Sequence, residues 1–134
     1  MLRAHARAAD LGTVYPAPLD VILEAGTVFQ PDVLFVSHAR KHVLRAANIV
    51  GTPDLCVEIL SPSTASLDRA RKRDLYARHG VLHYWIVDLD ARAIEEYVLD
   101  GAAFTLLGRT CDNETFRPAA FPGLELNLRG ADLP

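Results

Sequence analysis

The sequence predicts one α/β domain, residues 1–134, in which a mixed β-sheet is packed by helices. Three observations carry that expectation. Leu55–Leu60 and His83–Asp88 are apolar on both faces, as strands covered on both sides are. Between them lies a stretch of helical length that ends at Gly80. Further strand-like runs precede and follow this unit. If the two covered strands are parallel, the crossover joining them is right-handed. A chain of 134 residues is long enough for a single core.

Taken in order, Leu2 to Leu11 is Ala-rich and helix-prone, with Gly12 as a C-terminal stop. It reads as the last turns of a longer helix. Val14-Tyr15 follows, then a hairpin of Leu19–Leu23 and Thr27–Gln30 turning at Glu24-Ala25-Gly26. Val33–Val36 is a short strand, and His38 to Ala47 a polar, helix-compatible connection. After Leu55–Leu60, the SPST loop supplies N-caps for a helix reaching about His79. Asp68 then suits its first turn. Asp100-Gly101 marks a hairpin between AIEEYVLD and FTLLGRTC. The tail FPGLELNL reads as a short strand or an irregular segment.

Half the residues are apolar and 23% are charged, which excludes a disordered chain. A net charge of −3 excludes coating nucleic acid by bulk electrostatics, though not a local basic patch. Cys56 and Cys111 form no CxxC pair and read as buried reduced thiols. The N-terminus has no apolar core of a signal peptide, and no run is long enough to span a membrane. A soluble cytoplasmic protein is the resulting expectation.

Glu58 stands out because it interrupts an otherwise apolar strand. A buried carboxylate is costly unless it is paired, bound to metal or put to work. Asp32 opens a neighbouring strand in QPDVLFVS, and Lys72 lies on the helix that follows Glu58. Two carboxylates plus a main-chain carbonyl, here that of Ile59, suit Mg²⁺, which prefers oxygen ligands and keeps several waters. Such an ion lowers the pKa of water and offsets charge on a phosphoryl transition state. A lysine beside it can orient water or stabilise developing charge. These are the parts of a phosphodiester-cleaving site. Each has a plainer reading. Asp32 is a turn residue after proline, and Lys72 a surface partner of Asp68 four residues earlier. Spacing alone favours the surface reading of Lys72, although Leu75 and Tyr76 at i+3 and i+4, which read as packing residues, would tilt it toward the sheet. The plain reading is weakest for Glu58.

QPDVLFVS, VEILSPST, DRARKRDLYARHGV and HYWIVD together resemble the Uma-type restriction endonuclease family of the PD-(D/E)XK nuclease superfamily. The resemblance runs from APLDV to FPGLELNL. It implies a restriction-endonuclease-like core, with Asp32 and Glu58 as metal ligands for Mg²⁺ or Mn²⁺ and DNA as substrate. In the superfamily's commonest pattern the lysine stands two residues after the acid, where this chain has Leu60. The family looks as if it has moved the lysine to the next helix, and Lys72 is the matching position. Similar proteins carry a further N-terminal hairpin and helix that often contributes another acid. The chain begins inside what looks like that helix, so the resemblance implies a missing acidic ligand and covering layer. An uncovered sheet would favour a homodimer. The alternative function is a catalytically silent nuclease-like module for binding or assembly, and a weaker third reading is a non-nuclease metal-binding protein.

Other candidates are less specific. Arg69, Arg71, Lys72, Arg73 and Arg78 could touch phosphates, or form a solvated helix face balanced by Asp68 and Asp74. His38 and His42 have i,i+4 spacing without a third ligand, which favours surface histidines. Ser61, Ser63 and Thr64 suit loop and cap roles, Tyr84 and Trp85 suit packing, and Asp88 suits a turn.

Overall fold

A computed structural model of the chain describes residues 2–24, 26–60, 66–111 and 114–127, the side chains of 24 and 66–69 excepted. Helix α1 (Leu2–Ala8) leads into β1 (Gly12–Pro16), β2 (Val21–Glu24), β3 (Thr27–Phe29) and β4 (Val33–Ser37). A 3-10 helix spans His38–Val43, followed by β5 (Ile49–Val50), β6 (Leu55–Leu60) and helix α2 (Ser66–Arg78). Strands β7 (His83–Asp88), β8 (Ala93–Asp100) and β9 (Ala103–Cys111) complete the order.

The main sheet has six strands in the order β1-β4-β6-β7-β8-β9. β6 and β7 are parallel neighbours joined through α2, and the other pairs are antiparallel. The fold is therefore the mixed α/β architecture that the sequence predicts. A small second sheet, β3-β2-β5, lies beside it. The two strands apolar on both faces occupy the middle of the main sheet because only there are both faces covered. One face carries Phe35, Leu55, Val57, Trp85 and Ile94 against Leu2 and Ala6 of α1 and against Phe116, Phe121, Leu124 and Leu126. The other carries Cys56, Tyr84 and Ile86 against Tyr76 of α2, with Val21 and Ile49 of the small sheet nearby. The sequence-based reason for a homodimer was an uncovered sheet, and these central strands are covered on both faces.

Several boundaries differ from expectation. α1 stops at Ala8, and Gly12 opens β1 rather than ending the helix. A Cβ on Gly12 would lie 2.2 Å from the Val36 carbonyl oxygen, so close approach of β1 to β4 is what requires glycine there. The helical part of the connection ends at Val43, and β5 was not anticipated because two residues carry no periodicity. The last hairpin closes on the pair Asp100 and Ala103. Its two-residue loop is thus Gly101-Ala102, with Gly101 at φ +66°, the arrangement of a II′ turn. In the tail, Phe116 and Leu126 form an isolated bridge. Cys56 is fully buried as expected, whereas Cys111 is only half-buried. Among the described residues no helix is long and apolar enough to cross a membrane.

Candidate active site

The register of the central strands brings two of the expected site residues together. Val33 pairs with Val57, so one further step sets Asp32 opposite Glu58. Alternation places both acids on the face that α2 covers, with Leu34 and Cys56. The Asp32 carboxylate accepts the Ile59 N–H at 2.7 Å. This bond lies one step beyond Val33–Val57, where the β4–β6 ladder ends. The Asp32 carbonyl accepts from Ala17 on the β1 side, so the odd-numbered residues of this strand face β6. Pro31 therefore stands opposite Ile59 with no N–H to donate. The Ile59 carbonyl therefore has no N–H to accept from Pro31.

Glu58 is only 6% exposed. Its Oε1 accepts the Tyr76 hydroxyl at 2.7 Å, and its Oε2 lies 3.6 Å from the Lys72 ammonium. Burial raises its pKa; the Tyr76 bond and the Lys72 charge pull it down, and the nearby Asp32 charge pushes it up. Lys72 and Tyr76 are four residues apart and so share one face of α2, which lies over β6. The side chain of Asp68, the rival partner for Lys72, lies outside the described residues, as do Ser61, Ser63 and Thr64.

The family model for Uma2, described as "Putative restriction endonuclease", matches residues 1–129. This chain belongs to the Uma2 family. Its fold is also similar to that of "a putative nuclease belonging to DUF820 from Anabaena variabilis ATCC 29413". The TM-score is 0.73 at 16% identity, and the match covers 96% of this chain and 72% of that one. None of the curated proteins compared with the chain matches it.

In this Uma2 chain the donor set suits a hard divalent cation. Two carboxylates flank a main-chain carbonyl that its neighbouring strand cannot satisfy, and the deeper acid already holds a cation at Oε2. Among the described residues, no three His, Cys, Asp or Glu side chains cluster to hold a metal. His38 and His42 do not form a pair. They lie on a 3-10 helix, where i,i+4 positions do not face alike, and His38 instead meets Asp10 at 3.0 Å. Tyr84 and Trp85 are fully buried packing residues, and Asp88 accepts the Ala91 N–H in a turn. A second buried acid, Glu96, sits on the opposite face and accepts the Ala119 N–H at 2.8 Å, a structural tether for the tail.

Sequence reasoning missed Tyr76, reading it as packing. The available signal was its position four residues after Lys72 on one helix face. Tyr76→Phe should lower metal-free stability by about 1.5–3 kcal/mol, since a buried hydrogen bond to a carboxylate is lost. Urea unfolding at neutral pH measures this, and an unchanged midpoint would show that the bond contributes nothing.

Proposed function

We propose that this chain is a Mg²⁺-dependent endonuclease that hydrolyses phosphodiester bonds in DNA, with Mn²⁺ able to take the place of Mg²⁺. The observation that supports it most is the buried Glu58 facing Lys72 at 3.6 Å beside Asp32. The Asp32 and Glu58 carboxylates and the Ile59 carbonyl would hold the ion. When bound, it would acidify water and offset phosphate charge. Asp32 is fixed in place by the Ile59 N–H, so its second oxygen is aimed without further ordering. Tyr76 holds Oε1 of Glu58 and leaves Oε2 as the exchangeable oxygen. Lys72 is half-buried, with its ammonium 3.6 Å from Oε2 of Glu58. Its ammonium can leave Oε2 for charge that forms on the substrate, which is the role proposed for it.

A catalytically silent module is the second reading, favoured by the small side-chain ligand set among the described residues. Conversion of supercoiled plasmid to nicked circles separates the two. The wild-type chain should nick in Mg²⁺ and not in chelator, and Asp32→Asn, which keeps an oxygen for the Ile59 N–H, should be inactive while melting normally. A folded wild-type chain that nicks in neither Mg²⁺ nor Mn²⁺ would leave the silent module standing.

A further inference from the structure

The basic run on α2 divides by direction. Lys72 turns to Glu58, while the next residue, Arg73, is rotated by about 100° around the helix. Arg73 and Arg78 both line a groove between α2 and the β8–β9 turn, with a volume of about 470 Å³. Ala77 and Ala103 keep that groove open, and Phe104, stacked on Tyr84 at 5.4 Å, closes one wall. Asp74 also lines it and stands four residues before Arg78, a spacing that allows an ion pair. Neither arginine forms an ion pair or hydrogen bond among the described residues, with Asp74 or with any other side chain. The side chain of Asp68, the other acid of this helix, lies outside the described residues. Among the described residues, two unpaired guanidinium groups thus share one groove, on the helix that also carries Lys72.

We propose that this groove binds the sugar-phosphate backbone of the DNA substrate, Arg73 and Arg78 each taking one phosphate. The inference rests on the nuclease reading and extends it from the scissile bond to the flanking strand. Guanidinium is suited to the contact because its planar fork donates two parallel bonds to phosphate oxygens. Since only backbone is touched, the groove should fix the register of the strand over Lys72 without reading sequence.

The test is fluorescence anisotropy of labelled duplexes in chelator, where cleavage cannot occur, between about 50 and 200 mM salt. For Arg73→Ala/Arg78→Ala, the slope of log K against log salt should become shallower by about 1.8, equally on duplexes of unrelated sequence. Arg73→Lys/Arg78→Lys should keep most of the slope, which excludes misfolding as the cause. Arg117, paired with Glu125 in the tail that covers the other face, is the control, and Arg117→Ala should keep the slope. An unchanged slope in the double alanine variant, or an equal loss in Arg117→Ala, overturns the groove. If the wild-type chain still nicks plasmid, only the groove falls. If it neither binds duplex nor nicks, both this inference and the nuclease reading fail.

Discussion

Glu58→Gln should abolish nicking, by about 10²–10³-fold or more, and still melt at or above the wild-type temperature in metal-free buffer. The amide keeps an oxygen to accept the Tyr76 hydroxyl but carries no charge into a site that is 6% exposed. It breaks the pair with Lys72, yet that side chain is 29% exposed and water can take up its ammonium. Removing one partner is severe only when the other is left buried and charged. The sign with pH follows from the raised pKa. The folded state holds the Glu58 proton more tightly than the unfolded state does, so the wild type is most favoured below the unfolded value of about 4.3. That advantage is lost as pH rises through the folded pKa and stays lost above it. The melting temperature of Glu58→Gln relative to wild type should therefore climb from about pH 4 to neutrality and then level. Adding Mg²⁺ should raise the wild type alone. A large loss of stability in Glu58→Gln would instead identify the Lys72–Glu58 pair as a structural salt bridge.

Lys72→Ala should cut turnover by about 10²–10³-fold while Mg²⁺ binds as tightly as before or more tightly. On the mechanism proposed above, the lysine would compete with a metal for Oε2 in the resting protein and would serve charge on the substrate during cleavage. Without it Glu58 loses a positive neighbour that lowers its pKa, so the carboxyl titrates higher still. Metal-free Lys72→Ala should then be less stable than wild type at neutral pH, and Mg²⁺ should restore most of the difference by supplying the missing positive charge. Calorimetric Mg²⁺ titration and plasmid nicking measured side by side check this. Wild-type nicking by Lys72→Ala would remove the lysine from the mechanism.

The mixed sheet was legible because β6 and β7 are apolar on both faces, a pattern that only the middle of a covered sheet explains. Glu58 was legible for the same reason, as the one charge in such a strand. Less visible were features that depend on where strands meet. β5 is two residues long, and its pairing with β2 depends on contacts remote in sequence. The hairpin loop lies one residue past the Asp-Gly signal because φ at Gly101 fits the first loop position and not the second. Tyr76 was misread because an aromatic at helical spacing packs in either case; only its hydroxyl, placed by the crossing of α2 over β6, distinguishes the roles. The part played by Pro31 was likewise hidden, since its missing N–H matters only once Ile59 stands opposite.

Cys56 lies on the strand face of Glu58, two residues earlier, and is fully buried. Burial first, then the Glu58 charge, holds its thiol protonated. Alkylating and oxidising reagents attack thiolates that they can reach, and Cys56 offers neither charge nor access. Half-buried Cys111 takes such reagents first. The order in which the two sulfurs react thus becomes an internal clock. Modification of Cys111 marks the intact protein, and modification of Cys56 marks the moment when the cover over the carboxylate face has come away.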